Sequence, residues 1–416
     1  MSEIEVHISL AGDSLRVGTL FRQAARGRES VTFHYHDTWL ENPSRFSLEP
    51  GLGVGRGMFH PGEGRDMFGS IGDSAPDTWG RRLMQRAERR TASAENRSPR
   101  TLHEVDYLLG VSDVSRLGAL RFKHPDDEAF QKPIGEGVPG FSQLGQLLDS
   151  TRRIERGEET DEDLSLIFAP GSSLGGARPK ASIVDAHGNL AIAKFPKDSD
   201  DYSIETWEHI ALILAQQAGI QVPRHELQRI GDRAVLISWR FDREHDRRIP
   251  FLSAMSLLQA KDGERGSYPE IVDELVRHGA RTSDDAAELY RRMVFNILIS
   301  NVDDHLRNHG FLWAGREGWV VSPAYDLNPT PVDQKARILT TNISLDDGTC
   351  SIDLALEQAG LFGLSAPSAK GIIQQVGAAV SRWREVAVSV GESRARIERL
   401  SSAFEHADLE NACRLA

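Results

Sequence analysis

A polar stretch, NVDDHLRNHGFL, interrupts apolar sequence and holds residue types that can perform chemistry. Asp303 and Asn308 stand in it at the spacing D-x-x-x-x-N, and Asp326 follows two apolar pieces separated by the turn AGREG. These two pieces predict a β-hairpin, whose ends return to the same place. Phosphoryl transfer needs a carboxylate that receives a hydroxyl proton, and an asparagine and an aspartate that hold magnesium. Asp303 is therefore the candidate base, and Asn308 and Asp326 are the candidate metal ligands.

The D-x-x-x-x-N spacing is weak evidence when it stands alone, because aspartate and asparagine are common in loops. In the alternative interpretation, Asp303 and Asp304 form a turn and Asn308 adopts a left-handed conformation. The sequence must therefore supply further features before an enzyme is inferred.

A glycine-rich segment, APGSSLGGARPKASI, precedes a predicted strand. Its glycines, which include Gly175 and Gly176, allow the backbone to fold back and offer N–H groups to phosphate oxygens. The segment is not a Walker A loop, because its lysine follows Ala-Arg-Pro instead of a glycine. An ordinary flexible connection is the alternative.

Lys194 stands in the middle of an otherwise apolar strand pattern, LAIAKFP. An ammonium group in such a strand is costly unless it is paired, and the next predicted helix offers Glu205 and Glu208. A strand lysine paired with a helix glutamate positions nucleotide phosphates in kinase-like folds. The alternative is a lysine that extends from an edge strand into solvent. Together, these features occur in the order expected for nucleotide phosphotransfer.

The surrounding pattern predicts the elements that must position these residues. Short strands and few helices indicate an α+β subdomain over residues 1–125, and the strand patterns that follow indicate a strand-rich lobe over 126–242. Helical patterns dominate 243–416 and indicate a helical lobe. One strong helix is predicted over 283–301 with Ser283 as its cap, directly before the polar stretch. A strand-rich half followed by a helical half predicts two lobes.

Net charge and cysteine content narrow the classes of function. The net charge of −12 repels phosphate backbones, so direct DNA binding is not expected. The basic stretch 79–100 is most simply a solvated helix face. The two cysteines, Cys350 and Cys413, indicate neither a disulfide framework nor a zinc site. The apolar runs are too short to cross a bilayer and the amino terminus lacks signal-peptide features, so a cytoplasmic protein is expected.

Several motifs together resemble the HipA family of bacterial toxin kinases, the catalytic halves of type II toxin-antitoxin modules. The motifs SSLGGARPKA, LAIAKFP, ISWRFDR, VDDHLRNHGFL and SPAYDLNP match the family's core. The segments SLRVGTLF, GSIGDSAPDTWGRRLM and LLGVSDVSRLGALRF resemble its amino-terminal subdomain. The resemblance covers nearly the whole chain. It implies an α+β, two-lobed protein-kinase-like fold with a strand-rich N-terminal part and an all-α C-terminal lobe.

The resemblance also assigns roles at the chemical centre. It implies that Asp303 is the catalytic base, and that Asn308 and Asp326 bind magnesium. Lys194 is expected to contact ATP phosphates, and Glu208, on the following helix, is expected to be one of the cofactor-binding residues.

Other roles implied by the resemblance concern the nucleotide and its regulation. The backbone from Trp239 to Phe241 is expected to receive the adenine as an interlobe hinge. Ser173, with Ser172 beside it, matches a loop serine whose autophosphorylation switches the kinase off. A dianionic phosphoserine cannot share a cradle with nucleotide phosphates, so repulsion would eject the loop.

The expected activity is that of a serine/threonine protein kinase toxin that transfers the γ-phosphoryl group of Mg-ATP to a protein hydroxyl. By resemblance, the substrate class is translation components such as aminoacyl-tRNA synthetases, and the effects are growth arrest and persistence. A helix-turn-helix antitoxin is the expected partner, and DNA is contacted only through that complex. Two alternatives stay open: a small-molecule phosphotransferase, and a catalytically silent corepressor.

Overall fold

The chain combines helices with antiparallel strands in two compact units. Unit 1 consists of Met1–Ser199 and Gln228–Leu252, and unit 2 consists of Asp200–Leu227 and Ser253–Ala416. A computed structural model describes residues 2–25, 27–131, 137–168 and 176–415. The expected mixture of α and β structure is confirmed, whereas the division at residues 125 and 242 stays a prediction.

The first sheet of unit 1 has four strands in the order β3-β2-β1-β4, and β1 pairs antiparallel with both of its neighbours. Ile4, Val6 and Ile8 alternate along β1 and are fully buried, so this strand supplies one face of the core. The strands are β1 (Ser2–Leu10), β2 (Asp13–Ala25), β3 (Arg28–Tyr35) and β4 (Leu120–Lys123), and the helices are α1 (Asp37–Leu40), α2 (Gly69–Gly72), α3 (Thr78–Ala94) and α4 (Glu104–Leu109).

The basic stretch 79–100, which begins on α3 and continues beyond it, is largely neutralised by acidic neighbours. Five of its seven arginines make ion pairs at 3.4 Å or less. The pairs are Arg81 with Glu104, Arg86 with Glu159, Arg90 with Asp161, and Arg97 and Arg100 with Glu88. Charges paired within the protein attract DNA phosphates weakly, so the stretch resembles the solvated face considered above.

A second antiparallel sheet follows, in which β6 pairs with β5 and β8. Its strands and three helices enclose an apolar cluster that includes Ile183, Ala193 and Ile237. The elements are α5 (Leu144–Arg156), α6 (Asp161–Phe168), β5 (Lys180–Val184), β6 (Leu190–Lys194), β7 (His225–Ile230) and β8 (Arg233–Trp239). The strands β9 (Arg243–Glu244) and β10 (Arg247–Arg248) form a separate pair, and β11 (Phe251–Ser253) lies outside both sheets.

Unit 2 is mostly helical and contains one short hairpin. Its elements are α7 (Ile204–Gln217), α8 (Ala254–Leu257), α9 (Tyr268–His278), α10 (Thr282–Leu298), β12 (Gly310–Trp313), β13 (Trp319–Val321), α11 (Ile352–Gln358), α12 (Ala366–Val380), α13 (Trp383–Val390), α14 (Arg394–Arg399), α15 (Ser401–Phe404) and α16 (Ala407–Arg414). Across the described ranges, every helix falls short of the length or the apolar character that crossing a membrane requires.

Helix α10 forms the centre of unit 2 and leads directly into the polar stretch. Leu289, Met293 and Ile297 are fully buried at helical spacing, and each such side chain contributes roughly 1.5–3 kcal/mol by leaving water. The helix begins at Thr282, and the preceding Arg281 makes no capping bond with its side chain. The predicted cap at Ser283 is therefore wrong, since that residue already lies inside the first turn.

Candidate active site

The hairpin after the polar stretch brings its two flanks together, as the sequence predicts. Strand β12 pairs with β13 in antiparallel register, and the Ser322 amide donates to the Gly310 carbonyl at 2.8 Å. Beyond the strands, the Tyr325 hydroxyl donates to the Arg307 carbonyl at 2.8 Å. These two residues directly precede Asp326 and Asn308, so the hairpin and one tyrosine bridge join the backbones that carry the candidate metal ligands.

Asn308 is held tightly and keeps one oxygen available. It ends a 3₁₀ turn, its amide nitrogen donates to the His305 carbonyl at 2.7 Å, and its side-chain Nδ2 donates to the Asp303 carbonyl at 3.0 Å. Its Oδ1 is buried and accepts no hydrogen bond within the described part of the chain. A buried carbonyl oxygen without a donor costs about 1–3 kcal/mol, and such an oxygen is a ligand that magnesium prefers. Asn308 therefore fits a cation ligand.

Asp326 has an unusual backbone conformation. Its φ is 58°, in the left-handed region that non-glycine residues rarely adopt, at a cost on the order of 1 kcal/mol or more. The side chain is partly buried, and its Oδ1 accepts a hydrogen bond from Asn328 Nδ2 at 3.2 Å. Strain of this kind persists where the surrounding structure holds a residue for function. A carboxylate in this position fits the second cation ligand.

The structure distinguishes the two adjacent aspartates. The side chain of Asp303 is 62% exposed, and its Oδ1 lies 3.1 Å from Lys335 Nζ. Asp304 is 1% exposed, and its carboxylate accepts hydrogen bonds from the Tyr268 hydroxyl at 2.8 Å and the Thr340 amide at 3.0 Å. Burial raises the pKa of Asp304 to about 8, and the hydrogen bond from Tyr268 opposes this shift. Of the two carboxylates, that of Asp303 is accessible to solvent, whereas that of Asp304 is enclosed by hydrogen bonds.

Two basic residues beside these carboxylates also have defined positions. His309 is buried and its Nε2 lies 3.2 Å from the Asp304 carbonyl, while burial lowers the pKa of His309 to about 3. Burial thus favours the neutral form of this ring. Arg307 makes an exposed ion pair with Asp262 at 2.5 Å.

Lys194, the predicted contact for ATP phosphates, is the last residue of β6 and pairs with Lys180 of β5. Lys194 is partly buried, whereas the side chain of Lys180 is 2% exposed and its Nζ lies 2.7 Å from Asp77 Oδ2. Asp77 also caps α3 by accepting from the Gly80 amide at 2.8 Å. A lysine and an aspartate far apart in sequence thus fix the beginning of α3 against β5.

The last glycine of the glycine-rich segment lies beside this pair. Gly176 has a φ of +107°, and a Cβ atom there would stand 3.2 Å from Lys180 Nζ. Its carbonyl accepts a hydrogen bond from the Trp79 amide at 3.4 Å. The other three loop residues named from the sequence, Ser172, Ser173 and Gly175, lie outside the described residues.

The remaining predicted residues occupy ordered elements. Glu205 and Glu208 are buried on α7, in unit 2. Trp239 ends β8, and its indole Nε1 donates to Asp185 Oδ2 at 3.0 Å. The ring of Phe241 packs against that of Phe251 at 6.3 Å.

Buried charges anchor the chain directly after Trp239. Asp242 is fully buried, and its Oδ2 lies 2.6 Å from a nitrogen of Arg240 and 2.6 Å from one of Arg243. The same carboxylate accepts from the Gly118 amide at 2.7 Å. The cations and this amide lower the pKa of Asp242 to about 2, although burial alone would raise it. This backbone is therefore rigidly held.

Within the described ranges, no three side chains among His, Cys, Asp and Glu are arranged to hold a metal. A magnesium ion that also binds nucleotide phosphates needs only one or two protein ligands, so this finding is compatible with Asn308 and Asp326 as the pair.

Sequence reasoning missed Lys335 and four polar residues whose hydrogen bonds link Asp304 to Asp326. Lys335 lies in irregular chain after the hairpin, where no periodicity marks it. Of these, Asn296 is detectable in the sequence, because it interrupts the apolar pattern of helix α10 and a buried amide needs hydrogen-bonding partners. The four residues are Tyr268, Asn296, Asn301 and Asn328.

A family model and several known proteins match this chain. Residues 172–383, just over half of the chain, match the model described as the HipA-like C-terminal domain. "Putative kinase Y4mE" of Sinorhizobium fredii is 26% identical over 348 residues, which are 76% of this chain and 75% of that protein. "Putative kinase Y4dM" of the same organism is 29% identical over 218 residues, 48% of this chain and 52% of that protein.

A solved structure shows that the fold is also shared. The complex of HipA, HipB and operator DNA from Shewanella oneidensis MR-1 contains a chain that matches with a TM-score of 0.70. The match covers 99% of this chain and 96% of that chain at 16% identity. The likeness therefore extends through both units.

Proposed function

Because this chain belongs to the HipA family, we propose that it is an ATP-dependent serine/threonine protein kinase that acts as the toxin of a toxin-antitoxin pair. One observation carries the proposal: an exposed carboxylate, Asp303, has its backbone carbonyl bonded to the side chain of Asn308, whose buried Oδ1 accepts no bond within the described residues. Fixed and reactive groups of this kind suit phosphoryl transfer, in which catalysis is mostly positioning and charge stabilisation.

In the proposed reaction, the hydroxyl oxygen of a protein substrate attacks the γ-phosphorus atom. A new P–O bond forms, the bond to ADP breaks, and the hydroxyl proton passes to Asp303. Asn308 Oδ1 and the Asp326 carboxylate would hold Mg²⁺, which neutralises charge on the nucleotide phosphates. The exposure of Asp303 allows a large substrate to approach it.

The nucleotide contacts follow the family pattern in this proposal. Lys194 would bind ATP phosphates, with Glu208 supporting it, and Gly175 and Gly176 would bind them through the backbone. The backbone from Trp239 to Phe241 would receive the adenine. The rigid anchoring of the next residues, through the buried Asp242, suits that task.

We also propose that Ser173, or Ser172 beside it, is autophosphorylated to switch the kinase off. The proposed lobes are an amino-terminal subdomain over 1–125, an ATP-binding lobe over 126–242 and a helical lobe over 243–416. The proposed setting is the cytoplasm.

The proposed partner is a helix-turn-helix antitoxin. The related HipA was solved with HipB and operator DNA, which supports a DNA-binding partner. Pairing of the arginines on α3 with acids supports DNA contact through that partner instead of through this chain. The proposed substrate class is translation components such as aminoacyl-tRNA synthetases.

Radiolabelled transfer tests the proposal directly. The purified chain is incubated with Mg²⁺, γ-labelled ATP and cell lysate, and labelled peptides are mapped. Wild-type protein should label a lysate protein and its own loop serine, whereas Asp303→Asn should transfer at least 100-fold more slowly. Asp246→Asn, which changes an exposed aspartate in the turn between β9 and β10, is the matched control and should behave as wild type.

Each other outcome selects an alternative. Labelling of metabolites without labelling of protein would favour a small-molecule phosphotransferase. Absence of any transfer, with toxicity unchanged in Asp303→Asn, would favour a silent corepressor. Full activity of Asp303→Asn would refute the assignment of the base.

A further inference from the structure

A continuous series of hydrogen bonds runs through unit 2 from the buried Asp304 to the candidate metal ligand Asp326. It connects α9, α10, the polar stretch and the segment after the hairpin. We call it the Tyr268 network, and its members are Asp304, Tyr268, Asn296, Asn301, Asn328 and Asp326.

The first half of the network lies in the core. The Tyr268 hydroxyl donates to Asp304 Oδ2 at 2.8 Å, and Asn296 Nδ2 donates to the Tyr268 oxygen at 2.9 Å. Asn301 Nδ2 then donates to Asn296 Oδ1 at 3.0 Å. All four side chains are buried, so each polar group there must be paired with another.

The second half reaches the site. The backbone amide of Asn328 donates to Asn301 Oδ1 at 3.2 Å, and the side-chain Nδ2 of the same residue donates to Asp326 Oδ1, also at 3.2 Å. Asn328 is thus fixed by a buried acceptor through its backbone, and it presents its amide group to the carboxylate of Asp326.

The order of donors and acceptors gives the network a single direction. Both oxygens of Asp304 accept hydrogen bonds, Oδ2 from Tyr268 and Oδ1 from the Thr340 amide. The tyrosine oxygen must then accept from an NH₂ group, which turns the carbonyl of Asn296 toward Asn301. The same reasoning turns the carbonyl of Asn301 toward the Asn328 amide. The Asp304 acceptor at one end and the Asn328 backbone N–H donor at the other therefore require the same orientation of the Asn296 and Asn301 amides.

Asp326 needs such support because its backbone is in the left-handed region, with a φ of 58°. An aspartate there returns to more favourable conformations unless its surroundings prevent it. The fixed Asn328, two residues later, holds both the backbone that follows Asp326 and one of its carboxylate oxygens. The series of hydrogen bonds from the other members reaches Asp326 through Asn328.

We propose that the Tyr268 network positions Asp326 for cation binding and couples it to the segment that carries Asp303. Tyr268, Asn296 and Asn301 are positioning residues, because each acts through another residue. The cation-binding part rests on the proposed kinase function, whereas the ordering of residues 326–328 does not depend on it.

The alternative is that the network only stabilises the core. Tyr290→Phe supplies a matched control, because Tyr290 is equally buried in the same unit and its hydroxyl donates to the Ala355 carbonyl at 3.0 Å, outside the network. Tyr268→Phe and Tyr290→Phe each delete one buried hydroxyl and keep the ring.

The first measurement is amide hydrogen exchange at Asn328 in the full chain without nucleotide, by mass spectrometry at single-residue resolution. Asn301→Ala removes the acceptor of this amide and should raise its exchange rate about tenfold or more. Tyr268→Phe should also raise it, because Asn296 Nδ2 loses its buried acceptor and the Asn296–Asn301 pair that holds the acceptor of this amide is weakened. Tyr290→Phe should not. An unchanged rate in Tyr268→Phe, or an equal rise in both tyrosine variants, would overturn the proposal.

The second measurement is the Mg²⁺ concentration that gives half-maximal phosphotransfer at saturating ATP. Loss of a group that orients a metal ligand weakens metal binding by about 10–100-fold, so Tyr268→Phe should raise this concentration about tenfold with a smaller fall in kcat. A fall in kcat with an unchanged Mg²⁺ requirement would indicate a purely structural role and overturn the coupling. Absence of transfer in the wild type would refute the proposed function, and amide exchange would then decide the ordering alone.

Discussion

The Lys335 ammonium nitrogen lies 3.1 Å from Asp303 Oδ1, and both side chains are more than half exposed. An exposed pair of this kind contributes about 0–1 kcal/mol to stability, so its importance lies in where it puts positive charge. A cation beside the base can also face a transferring phosphoryl group.

Removal of this cation should impair transfer without unfolding the protein. Lys335→Ala is expected to lower kcat about tenfold while the free energy of unfolding changes by less than about 1 kcal/mol. Lys335→Arg keeps the charge and should retain most activity, and Lys261→Ala, at another exposed position, serves as the control. Steady-state kinetics and urea titration measure the two quantities. Unchanged kcat in Lys335→Ala would contradict a role for this side chain.

Because Asn308 Oδ1 accepts no hydrogen bond within the described residues, we expect a substitution of Asn308 to weaken Mg-ATP binding with little change in stability. Asn308→Ala removes one hydrogen bond but also a buried oxygen without a donor, so the free energy of unfolding should change by about 1 kcal/mol or less. Mg-ATP should raise the melting temperature of the wild type by mass action and should raise that of the variant far less. Thermal shift with and without Mg-ATP measures this. An equal rise in both proteins would exclude Asn308 as a ligand.

The neighbouring aspartates should respond in opposite ways to the same substitution. Asp304→Ala leaves the Tyr268 hydroxyl and the Thr340 amide without their acceptor, so about 3–5 kcal/mol of stability should be lost. Asp303→Ala changes an exposed side chain and should alter stability by about 0.5 kcal/mol while abolishing transfer. Urea unfolding of the two variants compares them. Similar losses of stability would contradict the assignment of one inner and one outer carboxylate.

A histidine at the beginning of α16 predicts acid sensitivity. His406 Nδ1 accepts from the Leu409 amide at 3.3 Å and Nε2 lies 3.1 Å from the Leu298 carbonyl, an arrangement that suits the neutral ring. Burial lowers the pKa of His406 from 6.5 to about 4. The folded state therefore binds fewer protons than the unfolded state between these values, so the stability contribution is full above pH 6.5 and is lost as the pH falls toward 4.

The size of this effect is roughly 2 kcal/mol between pH 7 and pH 4.5. His406→Asn keeps a capping oxygen and cannot titrate, so its stability should depend less on pH across that range. Urea titrations at several pH values test this, with His245→Asn, at an exposed position, as the control. Identical slopes for the wild type and His406→Asn would contradict the prediction.

Local spacing in the sequence predicts the hairpin and the positions of Asn308 and Asp326 on its flanks, because a short turn determines which residues return to the same place. Local spacing does not show that Asp303 is exposed and Asp304 is buried. These different environments depend on Tyr268 and Thr340, which are distant in sequence, and a single step along the backbone turns one carboxylate outward and the other inward.

Lysine pairing shows the same limit. The sequence directs attention to Lys194 because its strand is apolar, but it does not single out Lys180, whose buried ammonium group pairs with Asp77, 103 positions earlier in the chain. Polarity within a strand marks a residue that needs a partner. It does not identify the partner, which here is Asp77 at the beginning of a separate helix, α3.

The left-handed backbone at Asp326 sets stability against activity at a single position. Glycine adopts that conformation without the steric cost, so Asp326→Gly is expected to leave the fold intact or more robust while it removes the carboxylate. Selection for heat resistance alone would therefore favour variants that lack the carboxylate and are inactive. Selection for toxicity from a library randomised at residue 326 should instead recover acidic residues, which would show that the strained conformation is kept for the carboxylate.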